Sequence, residues 1–214
     1  AKVTSNLLTM KAKTGKLDGS RLTTTVTGQA SVEAGDSVTL DGSKLGAGAL
    51  TATATTGDLS VKNTEIKAAK GGITLTAEAA DIDASSAKLT AEGEVKLTAQ
   101  NSITATDASV ESASLAMTAN TGSVEATGFT ATVADQASVV AGDAVVLDNA
   151  ELTAGALTAT ANLGDLSLKS AELDISGAAK LTAQDTITAT DANVTSDSLT
   201  MTAKTGKLDG SRLT

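Results

Sequence analysis

The residues able to do chemistry are few and scattered. Asp81 and Asp83, in the stretch ADIDAS (80–85), put two carboxylates on one face of an extended strand. Paired carboxylates can hold Ca²⁺ or share acid–base work. A solvated strand face presents the same pattern, and that plainer reading is preferred. The glycine/aspartate nonapeptide that binds Ca²⁺ in other parallel solenoids is broken at once by KGGITLTAE (70–78). GAGALT (46–51) lacks the Lys-Ser/Thr of a phosphate loop and reads as a flexible turn.

Lys11, Lys13, Lys16 and Arg21 form a local basic cluster, echoed by Lys204, Lys207 and Arg212. If stacking gathered these charges on one face, they would suit a glycosaminoglycan, a host or bacterial surface glycan, or a receptor. Asp18 and Asp209 dilute them. Asn193-Val194-Thr195 is a formal glycosylation sequon, read as accidental. Thr-x-Thr pairs such as Thr51/Thr53, Thr74/Thr76 and Thr158/Thr160 hint at a threonine ladder of the ice-binding kind. Lys96, Lys180, Glu33 and Ala116 interrupt it, so ice binding is set aside.

Composition narrows the chemistry further. The chain has no Cys, His, Pro, Trp or Tyr, and Phe129 is its one aromatic residue. Disulfides, Cys/His metal sites, a His base and a Cys nucleophile are thereby excluded. No cofactor is expected, and an enzyme is disfavoured because near-uniform coils leave no long loops to build a cleft. A net charge of −9 argues against nucleic acid, which needs a basic patch. No stretch approaches transmembrane length. The apolar fraction is ordinary at 41%, but Ala supplies much of it. Ala buries little area, so the core must be thin.

Those residues must be positioned by a repeat. TGKLDGSRLT occurs at Thr14–Thr23 and again at Thr205–Thr214, and the match extends back to Ala1 and Ala192. GALTATA, starting at Gly48, returns at Gly155, and ITATDA, starting at Ile103, returns at Ile187. Turn-like positions at Gly15, Gly35, Gly57, Ala80, Asn101, Gly122, Gly142, Gly164, Asp185 and Gly206 give spacings of about 20–23, the solenoid range. Gly, Asn and Asp tolerate left-handed geometry, so these positions are predicted to be left-handed turns.

Between the turns lie three short alternating segments. The first carries inward Leu59/Val61, Ile82, Ile103, Val124, Leu166/Leu168 and Ile187. The second carries Ile66, Leu89, Phe129/Ala131, Leu152 and Leu173/Ile175. The third carries Ile73/Leu75, Leu97, Leu115, Leu157, Leu181 and Leu199. Polar residues alternate with them, the period of a half-buried strand. Helix fails because the segments are short, β-branched residues are dense and no 3.6-residue stripe persists. The prediction is an all-β, single-stranded parallel β-helix (a β-solenoid) of about ten triangular coils of roughly 21 residues. Residues 1–214 read as one β-helical segment of a longer repeat array.

Units such as GDLSLKSAELDISGAAKLTAQ (164–184) and GDSVTLDGSKLGAGALTATATT (35–56) resemble filamentous haemagglutinin repeats. The likeness spans essentially the whole chain. It implies a right-handed helix, export through an outer-membrane partner transporter, and display as a rod on a secreted bacterial exoprotein. Adhesins and contact-dependent growth inhibition proteins are members of that family. The family's secretion domain carries Asn-Pro motifs, and this chain has no Pro. The functional expectation is a structural shaft, with direct adhesion by one face of the rod as the alternative. Because the last coil nearly copies the first, end-to-end self-association is also expected.

Overall fold

The computed structural model describes residues 2–212, and among them every regular element is a strand. Ala1, Leu213 and Thr214, the extremities of the long sequence repeat, lie outside the described residues. Strands alternate a buried and an outward residue, as in Ile73–Ala77. Thr, Val and Ile at these positions suit a pleated surface packed on one side. The chain winds as a parallel β-solenoid of ten coils, each strand pairing with its counterpart one coil away.

Each coil has three faces, illustrated by the third: Lys44–Ala47 on face A, Ala49–Ala54 on face B and Leu59–Ser60 on face C. Face C is a ten-stranded sheet of two-residue strands. Faces A and B are separate strands in the first six coils. In the last four they run together as Thr130–Ala141, Glu151–Ala161, Glu172–Ala183 and Asn193–Ala203. Register shifts between Val133 and Gln136, and again between Ala154 and Leu157, mark where the fused strand turns the A–B corner. At ~4.8 Å per coil the stack is roughly 45–50 Å long.

The lumen is a set of columns. Leu59, Val61, Ile66, Ile73, Leu75, Ile82, Leu89, Leu97, Ile103, Leu115, Val124, Leu152, Leu157, Leu166, Leu168, Leu173, Ile175, Leu181 and Ile187 are all buried. Leu199 belongs to the same inward file but is 38% exposed, because it lies in the tenth coil with neighbours on one side only. One column is alanine throughout: Ala12, Ala34, Ala54, Ala77, Ala99, Ala119, Ala141, Ala161, Ala183 and Ala203. It ends each face B strand and is buried in all but the first and last coils, so a larger side chain there would overpack.

Phe129 is buried, but one inward position away from its predicted place. Ala131, not Phe129, pairs with Leu152. Phe129 instead precedes face A at the level of Ala108 and Ala150. A large residue in a small-residue column is followed two positions later by a small residue in a large-residue column. The exchange roughly conserves the volume packed at that level, the kind of swap cores tolerate best.

The predicted left-handed turns are also displaced. Positive φ falls at Arg21, Gly42, Asn63, Ser86, Asp107, Gly128, Asn149, Ser170, Asp191 and Arg212, at the C–A corner. Gly15, Gly35 and their equivalents sit at the B–C corner and are not left-handed. Clearance accounts for most of them. A Cβ on Gly35 would lie 2.4 Å from the carbonyl oxygen of Lys13 in the preceding coil, and one on Gly142 would lie 2.4 Å from that of Asn120.

Candidate functional site

The lumen is filled along its length, which leaves the three outer faces and the two ends of the stack as accessible surface. Face C is held by its corners. The N–H of Asp81 donates to Asp58 Oδ1 at 3.2 Å, and that of Ser102 donates to Asp81 Oδ1 at 2.8 Å. Ser123 N–H donates to Ser102 Oγ, and Thr186 N–H donates to Asp165 Oδ1. Short acceptors immediately before the face C strand thus staple one coil to the next, using the local side-chain-to-backbone chemistry favoured at turns.

Asp81 and Asp83 therefore part company. Asp81 is committed to the backbone of the next coil. Asp83 pairs with Lys62 at 2.8 Å and accepts from the hydroxyl and N–H of Ser85. Burial pushes the Asp83 carboxyl up, but the Lys62 and Ser85 hydrogen bonds together outweigh it and hold the group below its ordinary value. The hydrogen bond to Asp83, with its charge, raises Lys62 in turn. Among the described residues no group of three or more acidic side chains converges as metal ligands.

Face B carries hydroxyls. Its second outward column reads Lys11, Glu33, Thr53, Thr76, Thr98, Thr118, Val140, Thr160, Thr182 and Thr202. Its first is interrupted by Lys96, Ala116 and Lys180. Most of the threonines in the second column are half-buried between their neighbours.

Face A concentrates charge. Its outward columns hold Lys2, Lys44, Glu65, Lys67 and Lys88 in the first five coils, then Glu111, Glu151, Glu172 and Asp174 in the last five. Lys44 lies 2.7 Å from Glu65, and that contact holds the Glu65 carboxyl below its ordinary value. Shallow grooves run along this face. One of them, about 600 Å³, lies at the A–B junction beside Lys67, Thr90, Glu92, Glu111 and Thr132.

The two basic clusters are not brought together. Lys11, Lys13, Lys16 and Arg21 occupy the first coil, while Lys204, Lys207 and Arg212 occupy the tenth. Lys11 pairs with Glu33, and Arg212 pairs with Asp191 at 2.7 Å. Lys13, Lys16, Lys204 and Lys207 are exposed. No protein-family model, curated protein or solved structure matches this chain.

Proposed function

We propose that the chain is the structural shaft of a secreted bacterial surface exoprotein, a stiff spacer that holds other modules at a distance. The uniformity of the coil supports this reading best. The left-handed residue recurs at one fixed interval from Arg21 through Gly42 to Asn63, and again from Ser86 onward to Arg212. Only the step from Asn63 to Ser86 is longer. Among the described residues no coil carries an insertion long enough to wall a cleft, which is what a catalytic or ligand-enclosing solenoid needs. Strand hydrogen bonds run along the rod, so axial tension loads many of them together. The likeness of GDLSLKSAELDISGAAKLTAQ (164–184) to filamentous haemagglutinin repeats adds export through an outer-membrane partner transporter and bacterial surface display.

Excision of residues 109–150, two coils by register, tests the spacer role. Small-angle X-ray scattering should show a rod about 10 Å shorter with an unchanged cross-section. Loss of the folded state would count against modular stacking. Passivity is tested separately on heparin and on a glycan array. Salt-sensitive retention that is lost in Lys13→Glu/Lys16→Glu would replace the passive shaft with direct adhesion through the first coil.

A further inference from the structure

Charge is distributed along this rod very unevenly. Residues 2–108, the first five coils, carry 11 basic and 12 acidic side chains. Residues 109–192, the next four coils, carry 2 basic against 11 acidic, which equals the whole net charge of −9. Face A sharpens the contrast. Its basic half presents four lysines and one glutamate, and its acidic half presents four carboxylates with no basic residue. Face B, by comparison, carries only Lys11, Glu33, Glu94, Lys96 and Lys180 on its outward columns, with no separation of sign along the rod. The polarity belongs to one face, not to composition alone.

We propose that face A is a self-association surface that takes a second copy of this chain in antiparallel orientation. Turning one rod end for end sets the third coil against the eighth and the fifth against the sixth. Lys44 then meets Glu151 of its partner and Lys88 meets Glu111, with Lys67 between them, and the reverse contacts form by symmetry. Such an interface is isologous and closes at two copies. Parallel alignment in register would instead set acidic half against acidic half, and like-charge juxtaposition of that kind suppresses wrong arrangements. All five of these side chains are exposed, as is Glu172 one coil further along, and of them Lys44 must exchange or share its contact with Glu65 to pair across the interface. The sheet is four residues wide and ten coils long, roughly 600 Å² per copy at ~3.3 Å per residue and ~4.8 Å per coil. That places the complex at the small, transient end of specific interfaces. Its charges are solvent-exposed, so salt must weaken it. The inference does not depend on the shaft reading, since a passive spacer can be monomeric.

Sedimentation velocity of the full chain at low and high salt tests it. The expected result is a dimer at 20 mM salt that dissociates at 500 mM. Reversal of the basic half (Lys44→Glu, Lys67→Glu, Lys88→Glu) should leave a monomer at both. Reversal of the acidic half (Glu111→Lys, Glu151→Lys, Glu172→Lys) should do the same. Mixed one to one, the two variants should form a heterodimer, which also shows that both are folded. A wild-type monomer at low salt would overturn the proposal. So would self-association that neither reversal abolishes, or failure of the two variants to pair while circular dichroism shows both folded.

Discussion

Two corners of the coil solve the same problem by different means. At the C–A corner the chain reverses through one left-handed residue, and this holds in all ten coils. The requirement there is a dihedral angle, and five residue types meet it: Arg, Gly, Asn, Ser and Asp. At the B–C corner no described residue is left-handed, yet glycine recurs. Where glycine sits there, the requirement is clearance from the coil beneath; coils with Gln100 or Gln184 at the place of Gly142 meet it by a local change of backbone. The first corner keeps strict time, apart from the one longer step between Asn63 and Ser86. The second does not, as the alanine column that precedes it shows. Ala99 to Ala119 is a short step and Ala119 to Ala141 a longer one. Ala141 to Ala161 is short again and Ala161 to Ala183 long. One residue thus passes between the B–C and A–B corners in alternate coils, while the face B ladder itself stays in register. A corner fixed by torsion sets the period, while a corner fixed by packing accommodates the slack.

Both corners depend on a closed lumen, so the largest effect should come from breaking it. Leu166 is fully buried on face C, between Val145 and Ile187. Leu166→Asp places an unpaired carboxylate there and should cost about 3–5 kcal/mol. A lowered thermal midpoint, with loss of β-signal in circular dichroism, is expected. An unchanged midpoint would refute the inward assignment.

A smaller but more discriminating loss is expected at the B–C corner. A Cβ on Gly142 would stand 2.4 Å from Asn120 O and 2.6 Å from Thr121 Cα, both backbone atoms of the coil below. Gly142→Ala must shift the corner locally, as the coils that carry Gln100 and Gln184 at the same place do, and should cost roughly 1–2 kcal/mol. Gly15 occupies the equivalent corner in the first coil and has nothing within 4 Å of its Cβ position. Gly15→Ala should therefore be close to neutral in urea denaturation. Equal losses at both sites would mean that torsion rules this corner too.

The C–A corner responds to residue type in the opposite way. Ser170 adopts φ +54°, a region costing most L-residues about 1–2 kcal/mol, though Asn enters it more readily. Ser170→Asn copies Asn149 and Asn63 and should stabilise by roughly 0.5–1 kcal/mol, whereas Asn149→Ala should destabilise by about 1 kcal/mol. Matching denaturation curves for all three proteins would remove the torsional account of the corner.

This contrast explains what can be read from the sequence. The number of coils, the three faces and most lumen columns are legible, because period-two alternation survives any choice among Leu, Ile and Val. The outward pairs of face B are legible for the same reason. Left-handed positions are not, because Arg21, Ser86 and Ser170 carry no turn signature; only their regular recurrence marks them. The glycines look like torsional devices because sequence does not reveal how near the next coil lies. Phe129 reads one place off because size alone makes it look like the counterpart of Leu152. The separation of the two basic clusters follows from coil number, but the bipolar face A requires the register that pairs Glu65 with Lys44 and Lys88.

The smallest expected effect lies at the C–A corner between the third and fourth coils, where Lys62 reaches Asp83. Asp83 is held below its ordinary value of 3.8, so the folded state favours its charged form. That stabilisation is present above pH 3.8 and disappears as pH falls through the lower folded-state value. Lys62 is raised above 10.5, so its share is complete below that pH and is lost as pH rises through the folded-state value. The pair therefore stabilises the corner across a plateau from about 3.8 to 10.5. Both side chains are partly exposed, so the plateau should be only about 0.2–1 kcal/mol high. Urea midpoints of wild type and Lys62→Met should differ by a constant amount across that plateau and converge at both extremes. If the difference instead persisted at pH 2, the lysine stem would be packing on the coil rather than pairing with Asp83.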